Sequence, residues 1–140
     1  MTTSVDSNIL VALWDVENTF NLTAKAALES ARAAGNLSVA APVYAELLAY
    51  LGRSEKFLDS FFAETGIAID WDLNESIWRS AGLAYQSYAR RRRKQRSFEP
   101  RRIQADFLIG AHALENGYRL LTFDDRLYRA AFPRLTIIAI

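Results

Sequence analysis

The stretch Thr3-Ser4-Val5-Asp6-Ser7-Asn8-Ile9-Leu10-Val11-Ala12-Leu13-Trp14 changes its period partway along. Thr3–Asp6 is a short β-branched run, and Asn8–Trp14 begins a helical pattern. The alternation continues outward. Phe20–Ala34 is alanine-rich and helical with Gly35 placed to stop it, and Leu37–Ala40 is a second strand. Pro42 suits the first turn of a helix to Leu51, closed by Gly52, because proline lacks only a donor that would be unpaired there. Ser54 is placed to N-cap a helix to Thr65 with Gly66 behind it, and Ile67–Ile69 is the third strand. Asp72 and Glu75 have capping-box spacing for a long helix. Its apolar stripe runs through Leu73, Ile77, Ala81, Ala84 and Tyr88, widened by Trp78 and Tyr85. Pro100 breaks that pattern. Ala105–Asn116 resumes a helix before Gly117, Leu120–Thr122 is the fourth strand, Asp125–Phe132 is a short helix before Pro133, and Leu135–Ile140 is the last strand. Strands separated by helices predict an α/β fold, a central and mainly parallel five-stranded sheet flanked by helices, with ligands at the carboxyl ends of the strands.

At 140 residues and 51% apolar, the chain has room for one domain, 1–140, with one core. The absence of cysteine excludes disulfides, thiolate zinc sites, iron–sulfur clusters and cysteine nucleophiles. A single histidine, His112, excludes the two-histidine zinc sites. No apolar run approaches the roughly 18 residues of a membrane span. The first basic residue is Lys25, so no positively charged signal-peptide start is visible, and a cytoplasmic protein with no membrane partner is expected.

The net charge of +1 averages two unlike regions. Arg90, Arg91, Arg92, Arg93, Lys94, Arg96, Arg101 and Arg102 stand against Glu99 alone, eight bases to one acid, so segment 90–102 carries +7. The remainder, with nine bases and fifteen acids, carries −6. A basic strip on an acidic body points to a polyanion held at one place on the surface.

Three carboxylates stand alone in windows otherwise free of charge. Asp6 is the only charged side chain from Met1 to Trp14, Glu46 the only one from Ala33 to Gly52, and Asp106 the only one from Ile103 to Leu114. An isolated charge in apolar surroundings is costly to desolvate unless it is paired or bound to something. Asp6 closes the first strand and Asp124 follows the fourth, so both belong at the carboxyl edge of the sheet. Carboxylates gathered there repel by about 4 kcal/mol per pair at 4 Å and effective dielectric 20, unless a cation lies between them. Oxygen-only ligands favour Mg²⁺ or Mn²⁺ over zinc or copper, and such ions promote phosphoryl chemistry on polyanionic substrates.

The segments Val5-Asp6-Ser7-Asn8, Tyr44-Ala45-Glu46-Leu47, Ala105-Asp106-Phe107-Leu108-Ile109-Gly110-Ala111-His112-Ala113-Leu114 and Leu121-Thr122-Phe123-Asp124, with Phe132-Pro133, resemble the PIN-domain ribonucleases. Within that family the likeness is to VapC-type toxins of bacterial toxin–antitoxin pairs, and it spans the whole chain in order. The resemblance implies a PIN-like fold with a parallel central sheet and Mg²⁺- or Mn²⁺-dependent endonuclease activity on RNA. It also implies homodimerisation and a cognate antitoxin that covers the site. Carried over residue by residue, the catalytic and metal-binding set is Asp6, Glu46, Asp106 and Asp124. Ser7, Asn8 and Thr122 would orient carboxylates or bound water, and Asp125 would be a cap or accessory. Arg90 to Arg102 would hold the RNA backbone.

Plainer readings compete with parts of this. Asp70 and Asp72 form a second acidic pair, which helix capping explains. His112 lies six residues after Asp106, on a different helix face, and is expected to pack rather than ligate. Trp14, Trp71, Trp78 and the tyrosines are expected mainly in core or interface, with base stacking a minority role. A phosphatase-like α/β hydrolase also places aspartates at sheet ends, but Asp6-Ser7-Asn8 has no second aspartate two residues on. A noncatalytic RNA-binding domain would explain the basic strip but not the isolated carboxylates.

Overall fold

The computed structural model describes residues 1–50, 52–94 and 104–140, and for 92–94 the backbone alone. The sheet comprises β1 (Thr2–Val5), β2 (Asn36–Ala40), β3 (Ala68–Asp70), β4 (Arg119–Thr122) and β5 (Ile137–Ala139), in the order β3-β2-β1-β4-β5. Every pairing is parallel. The chain builds outward from β1 through β2 and β3, then returns to lay β4 and β5 on the other side. The winding therefore reverses between β1 and β4, and the crevice outside the carboxyl ends of strands at such a point is where open α/β sheets bind ligands.

Among the described residues seven helices flank this sheet: α1 (Ser7–Trp14), α2 (Asn21–Ala34), α3 (Ala41–Leu48), α4 (Glu55–Thr65), α5 (Glu75–Lys94), α6 (Ala105–Glu115) and α7 (Asp125–Ala131). Thr3, Ser4 and Val5 are all buried, so β1 is covered on both faces, as parallel strands between helix layers require. Ile9, Leu10, Val39, Leu47, Leu58, Ile109, Leu120 and Leu121 fill the core around it. No helix among the described residues is long and apolar enough to cross a membrane.

The elements fall in the order read from the sequence, and their ends differ for local reasons. Asp6 is not the last residue of its strand but the N-cap of α1, its carbonyl accepting from Ile9 N–H at 3.2 Å. The helix after Pro42 stops at Leu48 instead of Leu51, because Ala49 and Tyr50 already close tight turns onto Glu46 and Leu47; Leu51 lies outside the described residues. Asn74, not Asp72, caps the long helix: its Oδ1 accepts from Ile77 N–H at 3.1 Å, and Asp72 is exposed. The final strand is shortened to Ile137–Ala139 because Leu135 N–H turns back onto the Phe132 carbonyl. Ser54 caps α4 through Phe57 N–H at 3.1 Å, and Gly66 ends it in the left-handed region at φ 71°, both as expected. Trp14 packs edge-on against Phe57 and Phe61 under the Arg53 guanidinium. Trp71 and Trp78 are exposed rather than core.

Two contacts fix α6, the helix that carries Asp106. A Cβ at Gly110 would collide with the ring of Phe132, so glycine alone lets the helix press against that ring. Two residues on, His112 is fully buried, and its Nε2 lies 2.8 Å from Asp70 Oδ2. The histidine thus packs, as expected, and ties α6 to the end of β3. Asp70 belongs to this tie and not to an acidic pair with Asp72. Partial burial raises the Asp70 pKa, but the hydrogen bonds from His112 and from Asp72 N–H outweigh it and hold the carboxyl below its ordinary value.

Replacing Asp70 by alanine strips a buried imidazole of its partner, and should lower stability at pH 7 by about 1–3 kcal/mol, read from the urea midpoint at unchanged slope. A carboxyl that ionises more readily folded than unfolded stabilises above its unfolded pKa near 4, and that contribution is lost as pH falls through the folded value. The two proteins should therefore begin to converge in stability as pH falls below about 4, and meet once it is below the folded value. A difference undiminished in acid would mean that the carboxylate is not what matters at position 70.

Candidate active site

The crevice between β1 and β4 collects the charge-isolated carboxylates. Asp6, directly after β1, is only 3% exposed. Its Oδ1 accepts from Ser7 N–H at 2.8 Å, and its Oδ2 accepts from the Thr122 hydroxyl at 2.8 Å. Glu46 reaches the same place from α3, where its Oε1 accepts from the Ser7 hydroxyl at 3.0 Å. Asp106, in the first turn of α6, accepts from the Tyr128 hydroxyl at 3.2 Å. Asp124 follows β4 at the start of α7, exposed, with its backbone N–H donating to Thr122 Oγ1 at 2.9 Å.

The electrostatics follow from this placement. Burial pushes Asp6 above the ordinary carboxylate range, against hydrogen bonds from Thr122, Tyr128 and Ser7, and the Asp124 charge adds to the rise. Burial raises Glu46 as well, with the charges of Asp6 and Asp106 behind it and the Ser7 bond opposing. Asp106 is raised by burial, then by Asp6 and Asp124, with Tyr128 opposing. Among the described residues, no lysine, arginine or histidine forms an ion pair with any of the four.

Of the polar side chains named with the carboxylates, Ser7 and Thr122 bond to them directly, and Asn8 bonds to the turn after β4. Thr122 joins Asp6 to the backbone of Asp124, and Ser7 joins Asp6 to Glu46. Asn8 accepts from Phe123 N–H at 3.3 Å through Oδ1 and donates to Thr122 Oγ1 at 3.4 Å through Nδ2. Asp125 is the first residue of α7 and not its N-cap, which is Asp124; its carboxylate pairs with Arg129 one turn along the helix, at 3.2 Å. Arg90 and Arg91 are exposed on the last turns of α5. Arg92, Arg93 and Lys94 continue the helix backbone, and Arg96, Arg101 and Arg102 lie outside the described residues.

Sequence reading missed Tyr128. The residue is fully buried, its hydroxyl donates to Asp106 Oδ1 at 3.2 Å with the Asp6 carboxylate close by, and burial with the two negative charges drives its pKa far above that of a free phenol. A phenol has one proton to donate, so it serves one carboxylate at a time while keeping them apart. The signal was its position four residues after Asp124, one helical turn along, on the same side of α7.

This donor set is all oxygen and anionic, which fits a hard divalent cation. Among the described residues no three or more histidine, aspartate or glutamate side chains stand close enough together to hold a metal ion by themselves.

A family model described as PIN domain matches residues 4–133. Solved structures share the fold over nearly the whole chain. VapBC2 from Rickettsia felis bound to a promoter DNA fragment aligns with TM-score 0.63 and 20% identity, covering 100% of this chain and 99% of that one. VapBC-1 from nontypeable Haemophilus influenzae gives 0.63 and 20%, covering 99% and 98%. A toxin–antitoxin complex from Klebsiella pneumoniae gives 0.65 and 18%, covering 98% and 96%. No curated protein matches the sequence.

Crowded anions destabilise the metal-free fold, so Asp106→Asn, which keeps an acceptor for Tyr128 while removing a charge, should raise the melting temperature in EDTA at pH 7. Relief of about 1 kcal/mol corresponds to roughly 2–6 °C. Tyr128→Phe should lower it, because the part-buried Asp106 carboxylate loses its donor. Scanning calorimetry of both variants checks the pair of signs, and a destabilised Asp106→Asn protein would contradict the repulsion.

Proposed function

The chain belongs to the PIN domain family, and on that premise we propose that it is a metal-dependent endoribonuclease, the toxin of a type II toxin–antitoxin pair. The observation that carries this reading is the convergence of Asp6, Glu46, Asp106 and Asp124 on the reversal point of the sheet, with no cation paired to them among the described residues. A phosphatase or a noncatalytic RNA-binding domain accounts less well for four uncompensated carboxylates in a chain that also has a strongly basic segment.

Asp6, Glu46, Asp106 and Asp124 would hold Mg²⁺ or Mn²⁺, which when bound supplies charge neutralisation at the phosphodiester and acidifies water. The rest of the work belongs to the chain. Thr122 and Ser7 each occupy one oxygen of a carboxylate and so fix where its other oxygen points. Asn8 fixes the turn after β4 and with it Asp124. Tyr128 keeps Asp6 and Asp106 from closing on each other or rotating away. Such positioning of anionic groups before the substrate arrives removes a reorganisation cost from the reaction. The basic segment 90–102 would bind the RNA backbone. The fold neighbours are toxin–antitoxin complexes, which supports a small protein inhibitor that covers the site. A homodimer acting in the cytoplasm completes the proposal.

Incubation of RNA with the purified protein in Mn²⁺ should give cleavage that EDTA abolishes. Asp6→Asn, Glu46→Gln and Asp106→Asn should each reduce the rate by about 100-fold or more, since loss of even a supporting group at a metal site costs 10–100-fold. Mn²⁺ should also raise the melting temperature of the wild type by mass action, and that of Asp106→Asn much less. Full activity in a homogeneous Asp106→Asn sample would refute the site.

The basic segment is tested separately by salt. Arg91, Arg92 and Arg93 replaced together by alanine should weaken RNA binding and flatten the log–log salt dependence by roughly 0.7 for each phosphate no longer neutralised. An unchanged slope at unchanged affinity would assign the strip to another partner.

A further inference from the structure

Beside the carboxylates lies an aromatic pair that the chemistry above does not use. Phe123 stands between Thr122, which holds Asp6, and Asp124, and its own N–H is pinned by Asn8. Against its ring, 5.0 Å between centroids and tilted by 40°, lies the ring of Phe20. Phe20 is 53% exposed although the backbone that presents it is firmly held. Its N–H donates to Asn18 Oδ1 at 2.8 Å, its carbonyl receives Ala24 N–H at 2.8 Å, and the next residue, Asn21, is buried with its side chain on the carbonyls of Ala12 and Leu13. The fold thus holds a large apolar ring half in water against the turn that carries Asp124, where burial would otherwise be favoured.

We propose that Phe20 and Phe123 form a stacking shelf for the nucleobase adjoining the scissile phosphate of a single-stranded RNA. The proposal rests on the nuclease reading. Adjacency supplies the occupant: a base lies one sugar away from its phosphate, and Phe123 lies one residue away from Asp124. The size agrees: Phe20 presents the exposed ring and the half-buried Phe123 backs it, a face on the scale of one base. The chemistry agrees too, because every base offers a π-face and stacks on aromatic side chains with little regard to sequence. The shelf would set where along a strand the phosphate settles, a binding and positioning role distinct from that of the carboxylates.

The experiment uses the full chain in Mn²⁺ with a short single-stranded RNA whose cut site has been mapped. Phe20→Ala and Phe123→Leu should each raise KM about tenfold at nearly unchanged kcat, the scale of one base–aromatic stack. Phe20→Trp should restore KM. An abasic nucleotide next to the cut should cost the wild type a similar factor in KM and cost the two variants little more, because base and ring form a single interaction that either change removes. That abasic arm needs no variant to fold: if neither flanking base matters to the wild type, the shelf is refuted. Variants with wild-type KM and an undiminished abasic penalty also refute it. So does a variant that cuts RNA normally but no longer binds an inhibitor protein, which would make the rings a protein-binding surface. Failure of the nuclease reading is separate, because the wild type itself would then cut no RNA in Mn²⁺.

Discussion

Four carboxylates that repel one another are held within one crevice, and much of the molecule is arranged around tolerating them. Three are buried enough that their ionised forms are disfavoured before any neighbour is considered, and each then feels the charge of at least one other. Exchanging one carboxylate for an apolar side chain would relieve this at once. The fold instead surrounds the charges with neutral donors: the hydroxyls of Ser7, Thr122 and Tyr128 and the backbone N–H of Ser7. Neutral donors stabilise an anion without neutralising it, so the negative field survives and remains available to a cation. A lysine in the same place would stabilise the apo protein more and occupy the position that a metal ion needs.

The topology lets that field be concentrated with little strain. Because the winding reverses between β1 and β4, the two strands diverge into different crossovers at their carboxyl ends, and a gap opens that no connection crosses. Asp6 and Asp124 stand on its two sides at the starts of α1 and α7, where helix N-termini favour negative charge. Glu46 and Asp106 arrive from α3 and α6. Each of the four comes from a different helix, so no backbone segment has to bend to bring two acids together.

Much of this was legible in the sequence because the relevant signals were local. A lone carboxylate in a charge-free window marks a buried anion, and Asp6, Glu46 and Asp106 were found by that alone. The strand order could not be read that way, but alternation was enough to predict a parallel sheet. What escaped were groups whose role depends on contacts distant in sequence. Tyr128 resembles any tyrosine of an amphipathic helix until α7 is docked beneath Asp6 and Asp106. Asp70 and Asp72 look alike in sequence, and only the approach of His112 from α6 separates a tied carboxylate from an exposed one. The N-cap of α5 moved from Asp72 to Asn74 for a related reason: both residue types cap well, and the choice is made where the chain leaves β3.

The position of Asp106 depends on packing well away from the crevice. An aspartate in the first turn of a helix is placed by the axis of that helix, and small rotations of the axis carry it away from Asp6. Two features of α6 oppose such rotation: Gly110 against the Phe132 ring on one side, and His112 bonded to Asp70 on another. Phe107 adds a third, packed against Tyr85 and Tyr88 of α5. The segment Ala105–Leu114 thus carries one acid followed by residues that lock the helix presenting it, which explains why small and aliphatic residues dominate a stretch with a single charge. Helix placement and charge placement are one problem in this crevice, since repulsion between Asp6 and Asp106 pushes α6 in the direction that its packing must resist.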